Sequence, residues 1–153
     1  MANKYSYEGF NKETMARSCS QNTSISLKKG VEACKAIKGK KVTSAINFLE
    51  RVIEQKAVVP YTRYHAEMGH KRGKGIMAGG YPVKVAEELL RLIKNAQKNA
   101  EEQELGEELI VVNASVRKGS TRYHYGRYMG RQMKSTNVEV IVGVKQKWLR
   151  EQL

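Results

Sequence analysis

Aspartate is absent from this chain: all 15 acidic residues are glutamates, against 28 lysines and arginines. A catalytic triad closed by aspartate is thereby excluded, and only a glutamate could take that place. No paired carboxylates flank a nucleophile, so the sequence supports no enzymatic activity. Only two cysteines are present, Cys19 and Cys34, and their spacing matches no metal motif. Cys34 falls on an apolar helix face and reads as a small buried thiol in a reducing cytoplasm. The opening MANKYSYEGF lacks the apolar stretch of a signal peptide. No apolar run approaches the roughly 18 residues of a membrane span, so no membrane insertion is expected.

What is present is positive charge. The net charge is +13 over 153 residues, of which 41% are hydrophobic. That apolar fraction suits a folded domain rather than a disordered tail. A compact body with this charge repels itself unless a polyanion takes the charge up. Nucleic acid is the first partner to consider, and an anionic membrane surface the second. Seven of the 15 glutamates lie between Glu87 and Glu108, and none falls from Leu109 to Val138. One part of the molecule should be near neutral and another strongly cationic.

Residues 1–24 are polar with interleaved aromatics (Tyr5, Tyr7, Phe10) and read as an extended arm with at most a short strand. Ser26 suits the N-cap of a helix ending near Lys38, with Leu27, Val31, Cys34 and Ile37 on its apolar face and Gly39 as C-cap. Thr43 can cap a second helix bearing Ala45, Ile46, Leu49, Val52 and Ile53, which Pro60 closes. Residues 61–81 hold five glycines and six basic side chains counting histidines, and read as a long loop. Pro82 fits the first turn of a third helix, whose stripe is Val85, Ala86, Leu89, Leu90, Ile93, Ala96 and Ala100, ending near Gly106. The last third alternates with period two: Ile110, Val112, Ala114 and Val116, then Val138, Val140, Val142 and Val144. The whole is expected to be one α+β domain over 1–153, with three helices packed on a small antiparallel sheet and a long protruding β-hairpin. Its parts are the arm 1–24, a helical body 25–108 with a basic loop 61–81, the hairpin 109–144 with a basic tip 117–134, and a tail 145–153.

The tip carries the functional argument. Arg117–Lys134 contains no Leu, Ile, Val, Phe or acid, but six lysines and arginines. It cannot form a core of its own. Its strand from Leu109 to Ser120, if extended, would span about 40 Å, comparable with the width of so small a domain. The tip should therefore project and need an external partner. Arginine forks match phosphate oxygens, and interleaved tyrosines offer planes on which unpaired bases stack. The glycines of the tip, Gly119, Gly126 and Gly130, would let the backbone approach a ligand.

Candidate RNA-contacting residues are Arg117, Lys118, Arg122, Tyr123, His124, Tyr125, Arg127, Arg131 and Lys134 in the hairpin. Arg63, His65, His70, Lys71, Arg72 and Lys74 in the loop form a second group, and Lys28 and Lys29 on the first helix a third. The bland alternative for each group is a solvated charged surface. His65 and His70 lack i, i+4 spacing and a third ligand, so no metal is expected. GHKRGKGIMAGG fits no nucleotide-binding glycine motif, and no cofactor is implied. His124 lies among cations and suits base stacking better than general-base work. Two rival functions are a DNA-binding or chromatin protein, for which no helix-turn-helix is seen, and an RNA-modifying enzyme, for which no cofactor loop is seen.

Three stretches resemble a known family. ISLKKGVEACKAIKGKKVTSAINFLERVI (Ile25–Ile53), YPVKVAEELLRLIKNAQKNAE (Tyr81–Glu101) and the hairpin with GRYMGRQ are similar, in order and spacing, to the universal large-subunit ribosomal protein family numbered twenty-two (seventeen in eukaryotes), in its archaeal-type form. The resemblance implies a cytoplasmic, ribosomal, rRNA-binding protein that is not an enzyme. It implies a body near the exit of the polypeptide tunnel and a hairpin running into large-subunit rRNA. The tip (Arg127, Tyr128, Met129, Gly130, Arg131) would line the tunnel near ribosomal protein four of the large subunit and meet the nascent polypeptide. Arg127, Gly130 and Arg131 match the family's tip positions, and Arg117, Lys118 and Arg122 fall on the approach. Gly126 stands where the family has proline, and Tyr128 and Gln132 stand where it has alanine.

Overall fold

The structure is a computed structural model that describes residues 5–106 and 108–144; the expected tail 145–153 lies outside the described residues. Its elements run β1 (Met15–Thr23), α1 (Leu27–Ile37), α2 (Val42–Ile53), β2 (Val59–Pro60), β3 (Gly79–Gly80), α3 (Val83–Glu102), β4 (Leu109–Lys118) and β5 (Thr136–Val144). β1, β5 and β4 form an antiparallel sheet in that order, and β2 pairs with β3. The three helices and the hairpin expected from the sequence are all there.

The first correction concerns the N-terminal segment. β1 is a nine-residue strand along β5, from Met15 opposite Gly143 to Thr23 opposite Thr136, not a short strand in a free arm. Its alternation is masked in sequence by Ser18, Cys19 and Ser20. Ahead of it, Tyr7 and Phe10 pack on Met15, Ile110, Val112 and Ile141, so the arm covers the sheet's second face. Arg17 stacks its guanidinium on Tyr5 and Phe10 at 3.8 and 4.3 Å.

The second concerns β4. Its apolar residues do not share one face. The pairing runs Val111 with Val142 and then Asn113 with Ile141, so Val112 is an extra, bulged residue. The bulge reverses the phase: Leu109, Val111 and Ala114 join the core under the helices, with Val116 packed against it, while Ile110 and Val112 face the other way. β5 keeps the expected phase, with Val138, Val140 and Val142 in the same core and Val144 against it.

α1 has its expected boundaries, whereas those of α2 and α3 differ from expectation. Ser26 is the N-cap of α1, and Gly39 follows its end at φ +79°, the left-handed region glycine favours. The buried face of α1 is Gly30, Ala33, Cys34 and Ile37, with Leu27 and Val31 only half-buried. A Cβ on Gly30 would lie 3.1 Å from a Val116 methyl, so small residues set how close α1 sits on β4. α2 starts at Val42 behind Lys41, ahead of the expected Thr43 cap, and ends at Ile53 rather than at Pro60, which belongs to β2. Here Lys41 pairs with Ile110, and Val111 exchanges backbone bonds with Gly39 and Lys40, so the α1–α2 link covers β4's outer edge at its base. α3 runs to Glu102 and buries Leu92 in addition to the expected stripe, while Leu90 is only half-buried. Among the described residues no helix is long and apolar enough to cross a membrane.

Candidate nucleic-acid interface

Every residue singled out above for RNA contact is exposed. The structure gathers them into two places.

The first surrounds the basic loop. The loop is less structureless than expected, because the β2–β3 ladder closes its root and His70 pairs with Ala78 further out. Arg72 and Lys74 stand in the tight turn between, with Lys71 donating its backbone N–H to the Met77 carbonyl at 2.9 Å. At the root, Lys28 of α1 and Arg63 of the loop both approach the Tyr64 ring, at 5.9 and 5.4 Å. Two groups that are separate in sequence thus share one aromatic platform; Lys29 stays apart from it on the exposed side of α1. Lys71 likewise lies 5.5 Å from the Tyr81 ring. The His65 ring sits 3.0 Å from the Thr62 carbonyl.

The second is the hairpin's outer half. Beyond Lys118 opposite Thr136 the strands stay linked. Gly119 donates to the Ser135 carbonyl at 2.9 Å, Met133 to Arg122 at 2.7 Å and His124 to Arg131 at 2.9 Å, and Tyr123 pairs with Gln132. A single 3-10 turn, Gly126–Tyr128, forms the end. The ladder and this turn give the outer half its regular backbone, while the side chains from Arg122 to Gln132 are all exposed. Tyr125 is 88% exposed and Met129 68% exposed, large apolar surface that no part of the described chain covers. Arg131 lies 4.8 Å over the Tyr128 ring, which orients its guanidinium without neutralising it.

The segment itself holds no acid, but Arg117 at its start reaches Glu139 on β5 at 3.5 Å. One expectation for this half needs correction: Gly119 is not open to a ligand. A Cβ there would meet Ser135 Oγ at 2.6 Å and Asn22 Oδ1 at 2.8 Å. Asn22 Oδ1 accepts from the Ser120 backbone at 3.3 Å and from the Ser120 and Ser135 hydroxyls at 3.0 Å each, while the Asn22 N–H donates to Asn137 at 2.8 Å. Asn22 holds φ +54° at the irregular end of β1, which asparagine tolerates. This polar clasp ties β1 to the hairpin just below the tip. Sequence reasoning missed it, since nothing in QNTS marks a partner about a hundred residues away.

Above the clasp lies an open cleft of about 710 Å³ lined by Lys84, Arg122, His124 and Lys134 together with serines and Asn22. Lys84, in the first turn of α3, is the one cation of this group that the sequence did not single out. Four basic groups with hydroxyl and amide donors around an open cleft can bind phosphate or sugar oxygens.

The sequence profile of the family described as Ribosomal protein L22p/L17e matches residues 18–143. The chain belongs to that family. Curated relatives named "Large ribosomal subunit protein uL22" span nearly the same length. One from Methanococcoides burtonii is 37% identical over 91% of this chain and 95% of its own. One from Ignicoccus hospitalis is 39% identical over 86% and 89%, and one from Archaeoglobus fulgidus 34% identical over 92% and 96%. L22p/L17e proteins are structural constituents of the ribosome, not enzymes. The family match covers α1, α2, α3, the basic loop and the hairpin, including both cationic regions.

Proposed function

We propose that this chain is a structural constituent of the large ribosomal subunit in the cytoplasm that binds large-subunit rRNA through its two cationic regions. The loop root, with Lys28, Arg63 and His65, the turn with His70, Lys71, Arg72 and Lys74, and Lys29 on the exposed side of α1 meet one stretch of RNA. The hairpin from Arg117 and Lys118 to Lys134 meets another. The single observation that carries this reading is the tip itself. Arg122, Arg127 and Arg131 are exposed, and among the described residues none of them forms an ion pair. Exposed tyrosines between them suit unstacked bases, which duplex DNA does not offer.

Membership in the family supports the finer reading that the hairpin reaches the polypeptide exit tunnel. There Arg127, Tyr128, Met129, Gly130 and Arg131 would line the wall beside ribosomal protein four of the large subunit and face the nascent chain, with the body near the tunnel exit. Cross-linking of assembled large subunits, mapped to residues 61–81 and 117–134, tests both levels. RNA adducts in both segments are expected. Adducts confined to other surfaces would overturn the rRNA reading, and RNA adducts without any neighbour-protein or nascent-chain adduct at 127–131 would overturn the tunnel reading. Preference for duplex DNA over rRNA in competition would favour a chromatin role instead.

A further inference from the structure

Glu32 stands in α1 on the side facing the basic loop, and it is only 1% exposed. A buried carboxylate normally needs a cation or several hydrogen bonds. No described lysine or arginine forms an ion pair with it. Instead three successive backbone N–H groups converge on it. Thr62 donates at 3.0 Å to Oε2, and Arg63 and Tyr64 donate at 2.8 and 2.7 Å to Oε1. The Thr62 hydroxyl adds a longer bond to Oε2 at 3.3 Å, and its oxygen in turn accepts from Lys35 Nζ at 2.7 Å. Successive N–H groups arranged this way form an anion-binding nest. Burial raises the Glu32 pKa, but the three backbone bonds and the hydroxyl outweigh it and hold the carboxyl below its ordinary value of 4.5.

We propose that Glu32 is a positioning residue for RNA binding: its carboxylate occupies the 62–64 nest and fixes the root of the basic loop, so that Arg63 and Lys28 flank Tyr64 as one preformed contact surface. This role rests on the rRNA reading above. It has two consequences. The backbone of 62–64 is not itself a phosphate site, because the chain's own carboxylate fills it. RNA meets side chains there, held in place before binding. A loop that is free to wander would populate the competent arrangement only in part, and the apparent affinity falls by that fraction.

The test turns on sign. Glu32→Gln removes a negative charge from a cationic region, so electrostatics alone makes RNA binding tighter. The amide also puts a donor against one edge of the nest, leaving an N–H without its acceptor. Positioning therefore makes binding weaker, by about tenfold. Glu67→Gln, in the same loop but exposed, is the charge-matched control and should bind equally or slightly tighter. The probe is in vitro transcribed large-subunit rRNA of the source organism, titrated with the full chain. Hydrogen exchange on the free wild-type protein should show the Thr62, Arg63 and Tyr64 amides protected, although the segment is a surface loop.

Weaker binding by Glu32→Gln alone, with those amides protected, supports the proposal. Binding as tight as wild type or tighter, equal weakening by Glu67→Gln, or amides exchanging at the rate of an open loop each overturns it. If Glu32→Gln does not fold, Thr62→Val, which deletes the hydroxyl that donates to Glu32 and accepts from Lys35 but changes no charge, replaces it with about threefold weaker binding expected; unchanged binding overturns the role. Wild-type protein that ignores the transcript while those amides stay protected sinks the rRNA reading, and leaves Glu32 a latch of the fold only.

Discussion

Replacing Arg122, Arg127 and Arg131 together by glutamine removes three exposed cations that, among the described residues, form no ion pair within the chain. Their backbone stays tied through the His124–Arg131 and Arg122–Met133 bonds, so the hairpin should keep its shape. If each side chain neutralises one phosphate, log affinity per contact changes by about 0.7–0.9 per decade of salt. Relative to about 1 M salt, one contact at about 0.15 M then contributes roughly four- to sixfold, and three contribute about 50- to 170-fold. The triple variant should lose that much affinity for the large-subunit rRNA transcript at about 0.15 M salt, and its salt slope should flatten by about 2 to 3. A second triple, Arg51→Gln, Lys56→Gln and Lys94→Gln, carries the same charge change. Two of its members sit against Glu54 and Glu50 at 2.8 and 3.6 Å. Anisotropy titrations of both triples over a salt series decide the matter. Equal losses in the two triples, or an unchanged slope in the tip variant, would refute a phosphate-contacting tip and leave only a diffuse effect of net charge.

Further outcomes follow from packing at three positions. Gly119→Ala should cost about 1–2 kcal/mol in denaturant unfolding by breaking Asn22 bonds in the clasp, because the new Cβ would lie within 3 Å of both Ser135 Oγ and Asn22 Oδ1; an unchanged midpoint would show that the clasp adds no stability. Gly30→Leu should cost about 1–3 kcal/mol by overpacking, since the Val116 methyls lie 3.1 and 3.2 Å from where its Cβ would sit. Gly30→Ala should be near neutral in the same denaturant series, since a gain of about 1 kcal/mol in helix propensity opposes the tighter contact. Burial pushes the Cys34 thiol up to about 12, so a native sample near pH 8 should alkylate half-buried Cys19 first and Cys34 only on unfolding. The folded pKa exceeds the unfolded one, so this thiol's contribution is intact below about pH 9 and is lost as pH rises toward about 12; rapid native labelling of both thiols would contradict the burial of Cys34.

The helices and β5 are legible in the sequence because their apolar residues recur at one period along each element. Val138, Val140 and Val142 need no other information. β4 and β1 are read less fully, for different reasons: β4 breaks its period midway, whereas β1 keeps its period but fills it with small and polar residues. The extra Val112 shifts the phase of β4 midway, and β1 spends its core-facing positions on Ala16 and Ser18, whose hydroxyl donates to the Leu92 carbonyl at 2.9 Å. For the interface, the cations themselves can be read from composition and local runs. Their grouping cannot. Lys28 joins Arg63 only because α1 packs beside β2, and Lys84 joins Arg122, His124 and Lys134 only because α3 begins beside the hairpin. Glu32 reads in sequence as one more helix-surface acid, and only the loop's three N–H groups reveal why it is buried.

Two acids that border the cationic segments share a further logic. Glu32 and Glu139 are 1% and 4% exposed, so both are turned inward, and both accept backbone N–H bonds from distant chain. Glu139 Oε2 takes the Ser6 N–H at 2.9 Å and its hydroxyl at 2.7 Å, while Oε1 has no hydrogen-bond partner among the described residues. An amide nitrogen can therefore occupy the Oε1 position without displacing any of these bonds, which is not true of Glu32, where both oxygens are used. Glu139→Gln should thus keep the N-terminal segment docked, at a cost of no more than about 1 kcal/mol, and it relieves Arg117 of the charge 3.5 Å away. The same charge change that weakens rRNA binding at Glu32 should leave it equal or tighter at Glu139. Parallel titration of the two variants checks this pair of signs. Matching losses at both positions would mean that each acid merely stabilises the fold, and that neither one's hydrogen-bond geometry matters to the RNA-facing surface.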